Sequence, residues 1–244
     1  MSCAIEARGL RFRYPNGVTG LDGVDLSVRH GERVAVLGPN GAGKTTLMLH
    51  LNGLLAGDGS LSVAGIDVRG GDTRALRARV GLVFQDPDDQ LFMPTVREDV
   101  AFGPLNLGFD DVETRVDSAL RTVRMLDAAD RAPHQLSLGQ RRRVAIATVL
   151  AMDPRLLVLD EPSASLDPRS RRELLEMLGR LEQTMLVVTH DLLFAAELCD
   201  RAVILSAGRI VADGRCLDIL RNEELLAAHD LELPLGRLEV AAAA

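Results

Sequence analysis

The chain has 244 residues, 47% of them hydrophobic, which is enough for one large α/β core with small additions. Its formal net charge of −7 argues against a broad nucleic-acid-binding surface, so we expect no nucleic-acid partner. No apolar run approaches the roughly 18 residues that span a bilayer, and no signal sequence is evident, so we expect a cytosolic chain. The three cysteines have neither a disulfide nor a zinc spacing, so we expect reduced thiols.

The first predicted elements are strands. Apolar and polar residues alternate over residues 24–28, which is the pattern of a half-buried strand. We therefore expect antiparallel strands through the N-terminal region to about residue 36, and residues 59–68 are predicted to extend the same sheet.

A glycine-rich loop lies between a predicted buried strand at residues 33–37 and a predicted helix at residues 47–51. Its spacing, Gly-x4-Gly-Lys-Thr, is that of a P-loop, in which glycines let backbone N–H groups point inward at a phosphate. Lys44 should reach the β- and γ-phosphates, and the Thr45 hydroxyl should bind Mg²⁺. The loop predicts a nucleoside triphosphate site formed by Gly38, Pro39, Asn40, Gly41, Ala42, Gly43, Lys44, Thr45 and Thr46.

The middle of the chain is predicted to be mostly helical from about residue 86 to 133, including a helix at 112–126. Another helix is predicted after Ser137, because apolar residues recur there at spacings of three and four. Ser137 lies at the N-cap position, so this helix end offers a hydroxyl and free N–H groups to an anion. We interpret the three arginines at 141–143 as a solvated face or an internal ion-pairing site, because the protein is acidic.

Two further apolar runs end in polar side chains. Asp160 and Glu161 follow one run, and His190 follows the next. The carboxyl ends of parallel strands meet at one sheet edge, where ligands bind in such folds. Asp160 suits a Mg²⁺ contact, Glu161 suits the base that orients the attacking water, and His190 is placed to reach the γ-phosphate. The remaining helices are predicted at residues 174–181, 192–198 and 217–228.

A P-loop alone leaves kinases, GTPases and motor ATPases open, so the order of the other motifs matters. The P-loop at 38–45, Gln85, segment 136–140, the acidic strand end at 156–161, segment 163–167 and His190 follow the order of an ABC transporter nucleotide-binding domain. This resemblance covers almost the whole chain and implies that it binds and hydrolyses ATP. The implied fold is α/β, a single domain over residues 1–244 with a P-loop NTPase (RecA-like) parallel-sheet core and an N-terminal antiparallel β subdomain. It also implies an inserted helical subdomain at about 86–150 and a C-terminal helix and tail at about 215–244.

The resemblance implies further site residues. Tyr14 resembles the aromatic residue that stacks on adenine, and Gln85 resembles the Q-loop residue that contacts Mg²⁺, contributes to catalysis and senses the membrane partner. Residues 163–167 resemble the D-loop, the segment that follows the catalytic acid in that family.

Segment 136–140 resembles the family's signature motif, Leu-Ser-Gly-Gly-Gln, with Leu138 in place of the first glycine. In that family two domains face each other, and each ATP is held by the P-loop of one and the signature of the other. The resemblance therefore implies that Ser137, Gly139 and Gln140 bind ATP across an interface. It also implies that this chain pairs with a second ATP-binding subunit, as a homodimer or a heterodimer.

A more specific resemblance follows Gln85. The run Pro87-Asp88-Asp89-Gln90-Leu91-Phe92, together with residues 96–104, is similar to the ATPases of energy-coupling-factor importers. Two adjacent acids beside an exposed apolar pair would suit an arginine-bearing helix of a partner. The resemblance implies a peripheral subunit on the cytoplasmic face of the cell membrane. Its implied partners are a transmembrane coupling subunit and a substrate-binding membrane subunit.

The overall pattern is most similar to the ATPases of cobalt or nickel importers, with biotin or another vitamin as the alternative substrate. The five histidines have no metal-ligand spacing, so we expect another subunit to bind any transported metal. A soluble ABC ATPase acting on ribosomes or DNA is a competing class, but such proteins usually carry two cassettes or a coiled-coil insertion. A P-loop kinase would leave residues 137–140 unexplained.

Overall fold

An antiparallel sheet forms the N-terminal part of the structure, a computed structural model that describes residues 3–232. Its apolar residues, among them Ile5, Leu26 and Val63, pack against the helix that follows the P-loop. This arrangement confirms the predicted antiparallel subdomain. The strands in spatial order are Thr19–Arg29, Cys3–Arg13, Asp58–Val63 and Ile66–Asp67.

A second, mainly parallel sheet forms the core of the described residues. Its strands in spatial order are Arg209–Arg215, Arg201–Ser206, Arg33–Leu37, Thr184–Val188, Leu156–Asp160 and Val80–Val83. Only the pair at the first edge is antiparallel. The prediction of antiparallel strands to about residue 36 is wrong for its last part, because Arg33–Leu37 lies inside this sheet and pairs in parallel with both neighbours. Its last four residues are apolar and fully buried, as expected for a parallel strand covered on both faces.

Helices flank this parallel sheet, and three of them form the predicted helical subdomain. These three, Val96–Leu107, Val112–Thr122 and Leu138–Leu150, contact one another through a shared core. The other helices are Lys44–Leu51, Thr73–Arg79, Pro168–Gly179, Leu192–Leu198, Cys216–Leu220 and Glu223–Ala227. Short 3₁₀ turns lie at Pro87–Asp89, Leu126–Ala128 and Pro133–Gln135.

Three predicted helices differ from the structure, and the one predicted at residues 174–181 runs from Pro168 to Gly179. The helix predicted at residues 112–126 ends at Thr122, and the chain then passes through a residue with positive φ, Arg124. The single helix predicted at 217–228 is two short helices, because the Asn222 side chain accepts a hydrogen bond from the N–H of Leu225 and so starts a new helix. The predicted tail from residue 233 onward lies outside the described residues.

Cys3, Cys199 and Cys216 are free thiols, and burial raises the pKa of Cys216 to about 11. Within residues 3–232, none of the helices combines the length and the apolar character that a membrane span requires.

Candidate nucleotide-binding and hydrolysis site

The P-loop joins the central strand Arg33–Leu37 to the helix Lys44–Leu51. Two of its glycines are required by the fold itself. Gly43 has a φ of 106°, and a Cβ at this position would overlap the carbonyl oxygen of Gly20. A Cβ on Gly38 would overlap the carbonyl oxygen of Leu205. Any larger residue would therefore push the loop away from both sheets.

The loop forms one wall of a cavity of about 270 Å³ at the carboxyl edge of the parallel sheet. This cavity brings together the P-loop, the end of the Leu156–Asp160 strand and Gln85, which the sequence predicted to share a site. Its lining residues are Tyr14, Val18, Thr19, Gly20, Asn40, Gly41, Ala42, Gly43, Lys44, Thr45, Thr46, Gln85, Asp160 and Glu161.

Lys44 is buried, with its ammonium group inside the loop. Its Nζ donates hydrogen bonds to the carbonyl oxygens of Gly38 at 2.6 Å and Pro39 at 2.9 Å. Burial lowers the pKa of Lys44, while the nearby charges of Glu161 and Asp160 act in the opposite direction. A bound phosphate would supply the additional negative charge that favours the protonated amine.

Asp160 and Glu161 lie side by side at the sheet edge. Burial, and secondly the charge of Glu161, raise the pKa of Asp160 to about 6, and Lys44 partly offsets this shift. The carboxylate of Glu161 accepts hydrogen bonds from the Thr189 hydroxyl at 3.0 Å and from the N–H of His190 at 3.1 Å. His190 Nδ1 lies 2.8 Å from Glu161 Oε1, while most of the imidazole is exposed. The structure thus places the predicted base and the predicted histidine in direct contact.

Ser137 is the N-cap residue directly before the helix Leu138–Leu150. Ser137 and Gln140 form a reciprocal capping box, in which the serine oxygen accepts from the N–H of Gln140. Gly139 lies against the next helix, and a Cβ there would be 2.7 Å from the Ser170 hydroxyl oxygen. Ser137, Gly139 and Gln140 are not among the residues that line the P-loop cavity of the same chain. Leu138 lines a neighbouring cavity of about 480 Å³ together with Thr45 and Gln85.

A family model described as ABC transporter matches residues 21–164, which is more than half of the chain. The chain belongs to the ABC transporter family. Members of this family bind and hydrolyse ATP, and the chain is an ATP hydrolase of the ABC type.

Individual ABC relatives cover nearly the full chain. A protein of Streptomyces coelicolor, named as an ABC transporter ATP-binding protein, is 59% identical over 96% of this chain and 91% of its own length. An energy-coupling factor transporter ATP-binding protein, EcfA of Carboxydothermus hydrogenoformans, is 49% identical over 96% of this chain and 89% of its own. The solved structure of CbiO1 from Clostridium perfringens, described as part of the ABC transporter complex CbiONQ, is 35% identical. Its TM-score is 0.83, with 96% of this chain and 97% of the other covered. The resemblance to energy-coupling-factor ATPases and the α/β P-loop fold are confirmed.

In this ABC ATPase, Tyr14 rests on the P-loop helix through contacts that the sequence did not predict. Its hydroxyl lies 2.9 Å from the Thr46 hydroxyl oxygen, and its ring meets Phe12 edge to face. Phe12 in turn meets the buried His50 edge to face, and His50 Nδ1 bonds the Thr46 carbonyl oxygen at 2.7 Å. The only sequence signal for this cluster is the four-residue spacing of Thr46 and His50 on one helix.

The arginines at 141–143 of the ABC ATPase make internal contacts, and two of them lie close to carboxylates, which agrees with the ion-pairing interpretation. Arg143 pairs with Glu173 at 2.8 Å, and Arg141 lies 3.5 Å from Asp88. Arg142 is buried and bonds two backbone carbonyl oxygens. Its role and that of Thr189 were not predicted from the sequence.

Oxygen atoms at the P-loop cavity fit a hard divalent cation. Thr45, Gln85 and Asp160 line this cavity and the neighbouring one, and hydroxyl, amide and carboxylate oxygens are suitable Mg²⁺ ligands beside phosphate oxygens and water. Across residues 3–232 there is no cluster of three or more His, Cys, Asp or Glu side chains that would hold a metal without ATP.

Proposed function

We propose that this chain is the ATP-hydrolysing subunit of an energy-coupling-factor importer, bound to the cytoplasmic face of the membrane through a transmembrane coupling subunit. The observation that carries the proposal is an apolar groove beside the Pro87–Asp89 turn. The 49% identity to EcfA of Carboxydothermus hydrogenoformans supports it.

Within the site, Lys44 binds the β- and γ-phosphates and Tyr14 stacks on adenine. Thr45, Asp160 and Gln85 hold Mg²⁺, which when bound neutralises charge on the phosphates. Glu161 orients and deprotonates the attacking water, and His190 contacts the γ-phosphate. The 2.8 Å contact between His190 and Glu161 supports this pairing of roles, because both groups reach one point at the sheet edge.

The signature residues act across a dimer interface. Ser137, Gly139 and Gln140 lie at the N-terminus of a helix, which favours an anion, but they do not line the P-loop cavity of their own chain. A second ATP-binding subunit, identical or different, would bring its own signature to this cavity and would receive this one.

The proposed docking groove has a volume of about 600 Å³ and lies between the parallel sheet and the helical subdomain. Its wall includes the buried side chains of Val80 and Leu82. Among its lining residues, Phe92 and Phe102 meet edge to face with ring centroids 4.9 Å apart, and these residues are 63% and 42% exposed. Exposed aromatic residues beside an apolar groove are typical of a helix-binding surface.

Three acidic residues shape this surface, one buried and two exposed. Buried Asp99 accepts hydrogen bonds from the N–H groups of Phe92 and Met93, both at 3.0 Å, and so holds the segment that carries Phe92. Burial raises the pKa of Asp99. Asp88 and Asp89 remain exposed on the turn, where they would attract a basic residue of the partner.

Gln90, which follows the two acids of this turn, bonds within its own chain. Its side-chain nitrogen donates to the carbonyl oxygen of Ala145 at 2.8 Å and to the Thr148 hydroxyl at 2.7 Å. These contacts fasten the turn to the helix Leu138–Leu150, so Gln90 positions the docking surface and is not a free docking group.

Replacing both aromatic residues of the groove should prevent assembly. The double substitution Phe92→Ser and Phe102→Ser removes exposed apolar area. Such a loss weakens binding most at the centre of an interface, so recovery of the complex should fall at least about tenfold. The measurement is co-purification with the cognate transmembrane coupling subunit. ATP hydrolysis by the isolated protein should stay within about twofold of wild type.

Val211→Ser is the matched control, because Val211 is 41% exposed and lies on the Arg209–Arg215 strand away from the groove. It should leave assembly unchanged, whereas Asp88→Ala with Asp89→Ala should weaken assembly. Normal recovery of the complex by the double phenylalanine variant would refute the docking assignment.

We propose cobalt or nickel as the imported substrate, supported by the similarity to CbiO1. The assembled complex in lipid vesicles should accumulate Co²⁺ or Ni²⁺ when ATP is supplied on the side of this subunit, and uptake should stop with the Glu161→Gln subunit. Uptake of biotin or another vitamin without metal uptake would instead select the vitamin alternative.

A further inference from the structure

Arg142 is the most deeply buried charged side chain near the hydrolysis site that the ABC motifs do not explain. Only 3% of the residue is exposed, and it lies in the second turn of the helix Leu138–Leu150. Its Nη1 donates to the carbonyl oxygen of Glu161 at 2.6 Å, and its Nη2 donates to that of Ala164 at 3.2 Å. Within residues 3–232 it forms no salt bridge with a carboxylate.

Burying a guanidinium group without a paired carboxylate costs free energy of desolvation, so packing alone does not account for an arginine at this position. Burial lowers the pKa of Arg142, and the charges of Asp86 and Glu161 oppose this shift. Both carbonyl groups that compensate the burial belong to one turn, which is closed by a hydrogen bond from the N–H of Ala164 to the Glu161 carbonyl oxygen at 3.1 Å.

The backbone of this turn needs external support. Glu161 has a φ of 44°, a left-handed conformation that costs free energy for a residue with a side chain. The carboxylate of Glu161 is held from the other direction by Thr189 and His190. Arg142 holds the carbonyl group, so the residue is fixed at both ends.

We propose that Arg142 is a positioning residue for ATP hydrolysis, which holds the Glu161 backbone so that its carboxylate faces the attacking water. This inference rests on the proposed role of Glu161 as the base. A small displacement of a catalytic group can reduce rates by about 100-fold, so loss of the Arg142 contacts should act on turnover and leave ATP affinity largely unchanged.

The test compares three variants of the full chain. Arg142→Met retains much of the length and removes the donors, and it should lower kcat about 10- to 100-fold with the KM for ATP within about twofold. Arg142→Lys retains one charged donor group and should recover part of the loss. Arg143→Met is the matched control, because Arg143 lies on the same helix but pairs with half-buried Glu173 of the helix Pro168–Gly179 and makes no hydrogen bond with the turn at Glu161. Its kcat should stay within about threefold of wild type.

A double-mutant cycle separates positioning from general stability. In a Glu161→Gln background, Arg142→Met should cause little further loss, because the group that it positions has already been removed. Rates are normalised to the folded fraction from thermal melting. Wild-type turnover in Arg142→Met and Arg142→Lys, or a full tenfold additional loss in the Glu161→Gln background, would overturn the inference. Wild-type hydrolysis by Glu161→Gln alone would instead overturn the role of Glu161, and with it the basis of the inference.

Discussion

Glu161→Gln is expected to reduce steady-state ATP hydrolysis about 100-fold or more while ATP still binds. The amide keeps the shape of the carboxylate and can still accept hydrogen bonds from the Thr189 hydroxyl and the His190 N–H. It cannot take a proton from the attacking water. A 100-fold loss corresponds to about 2.7 kcal/mol of transition-state stabilisation. Phosphate release measures the rate, and nucleotide titration measures the affinity.

Glu176→Gln provides the control for a neutralised glutamate. Glu176 is exposed on the helix Pro168–Gly179, so its substitution should leave hydrolysis within about twofold of wild type. If Glu161→Gln hydrolyses ATP as fast as this control does, another group must act as the base.

Mixing two inactive variants should restore hydrolysis, because each active site is expected to combine two chains. Lys44→Ala removes the phosphate-binding amine, and Ser137→Arg obstructs the signature. In a mixed dimer, the intact P-loop of one chain meets the intact signature of the other. Random pairing of equal amounts would give about a quarter of the wild-type number of intact sites, so the mixture should reach up to about that fraction of wild-type activity.

Each variant measured alone gives the baseline for this experiment, and both should be nearly inactive. Sedimentation or light scattering with Glu161→Gln and ATP should show a dimer, because hydrolysis no longer separates the chains. Full activity of Ser137→Arg by itself, or a strict monomer with ATP under these conditions, contradicts the composite site.

Much of the site was predictable from the sequence because its parts are local. The spacing from Gly38 to Thr45 specifies a P-loop by itself, because the glycines, the lysine and the threonine lie in one short continuous loop. Asp160 and His190 each follow a short apolar run, and parallel strands align their carboxyl ends at one edge. Chain order and strand type were therefore sufficient to place Asp160 at the cavity beside the P-loop and His190 at the same sheet edge, where it contacts Glu161.

Other features depended on the tertiary structure, because they join residues that are distant along the chain. Arg142 and Glu161 are 19 positions apart, and Gln90 and Ala145 are 55 apart. Sequence patterns report which face of a helix is apolar, but the partner of a buried polar group depends on how the helices pack on the sheet. For the same reason the sequence left a solvated face and an internal ion-pairing site open for residues 141–143, and only the packing showed that Arg142 bonds the carbonyl oxygens of the turn at Glu161.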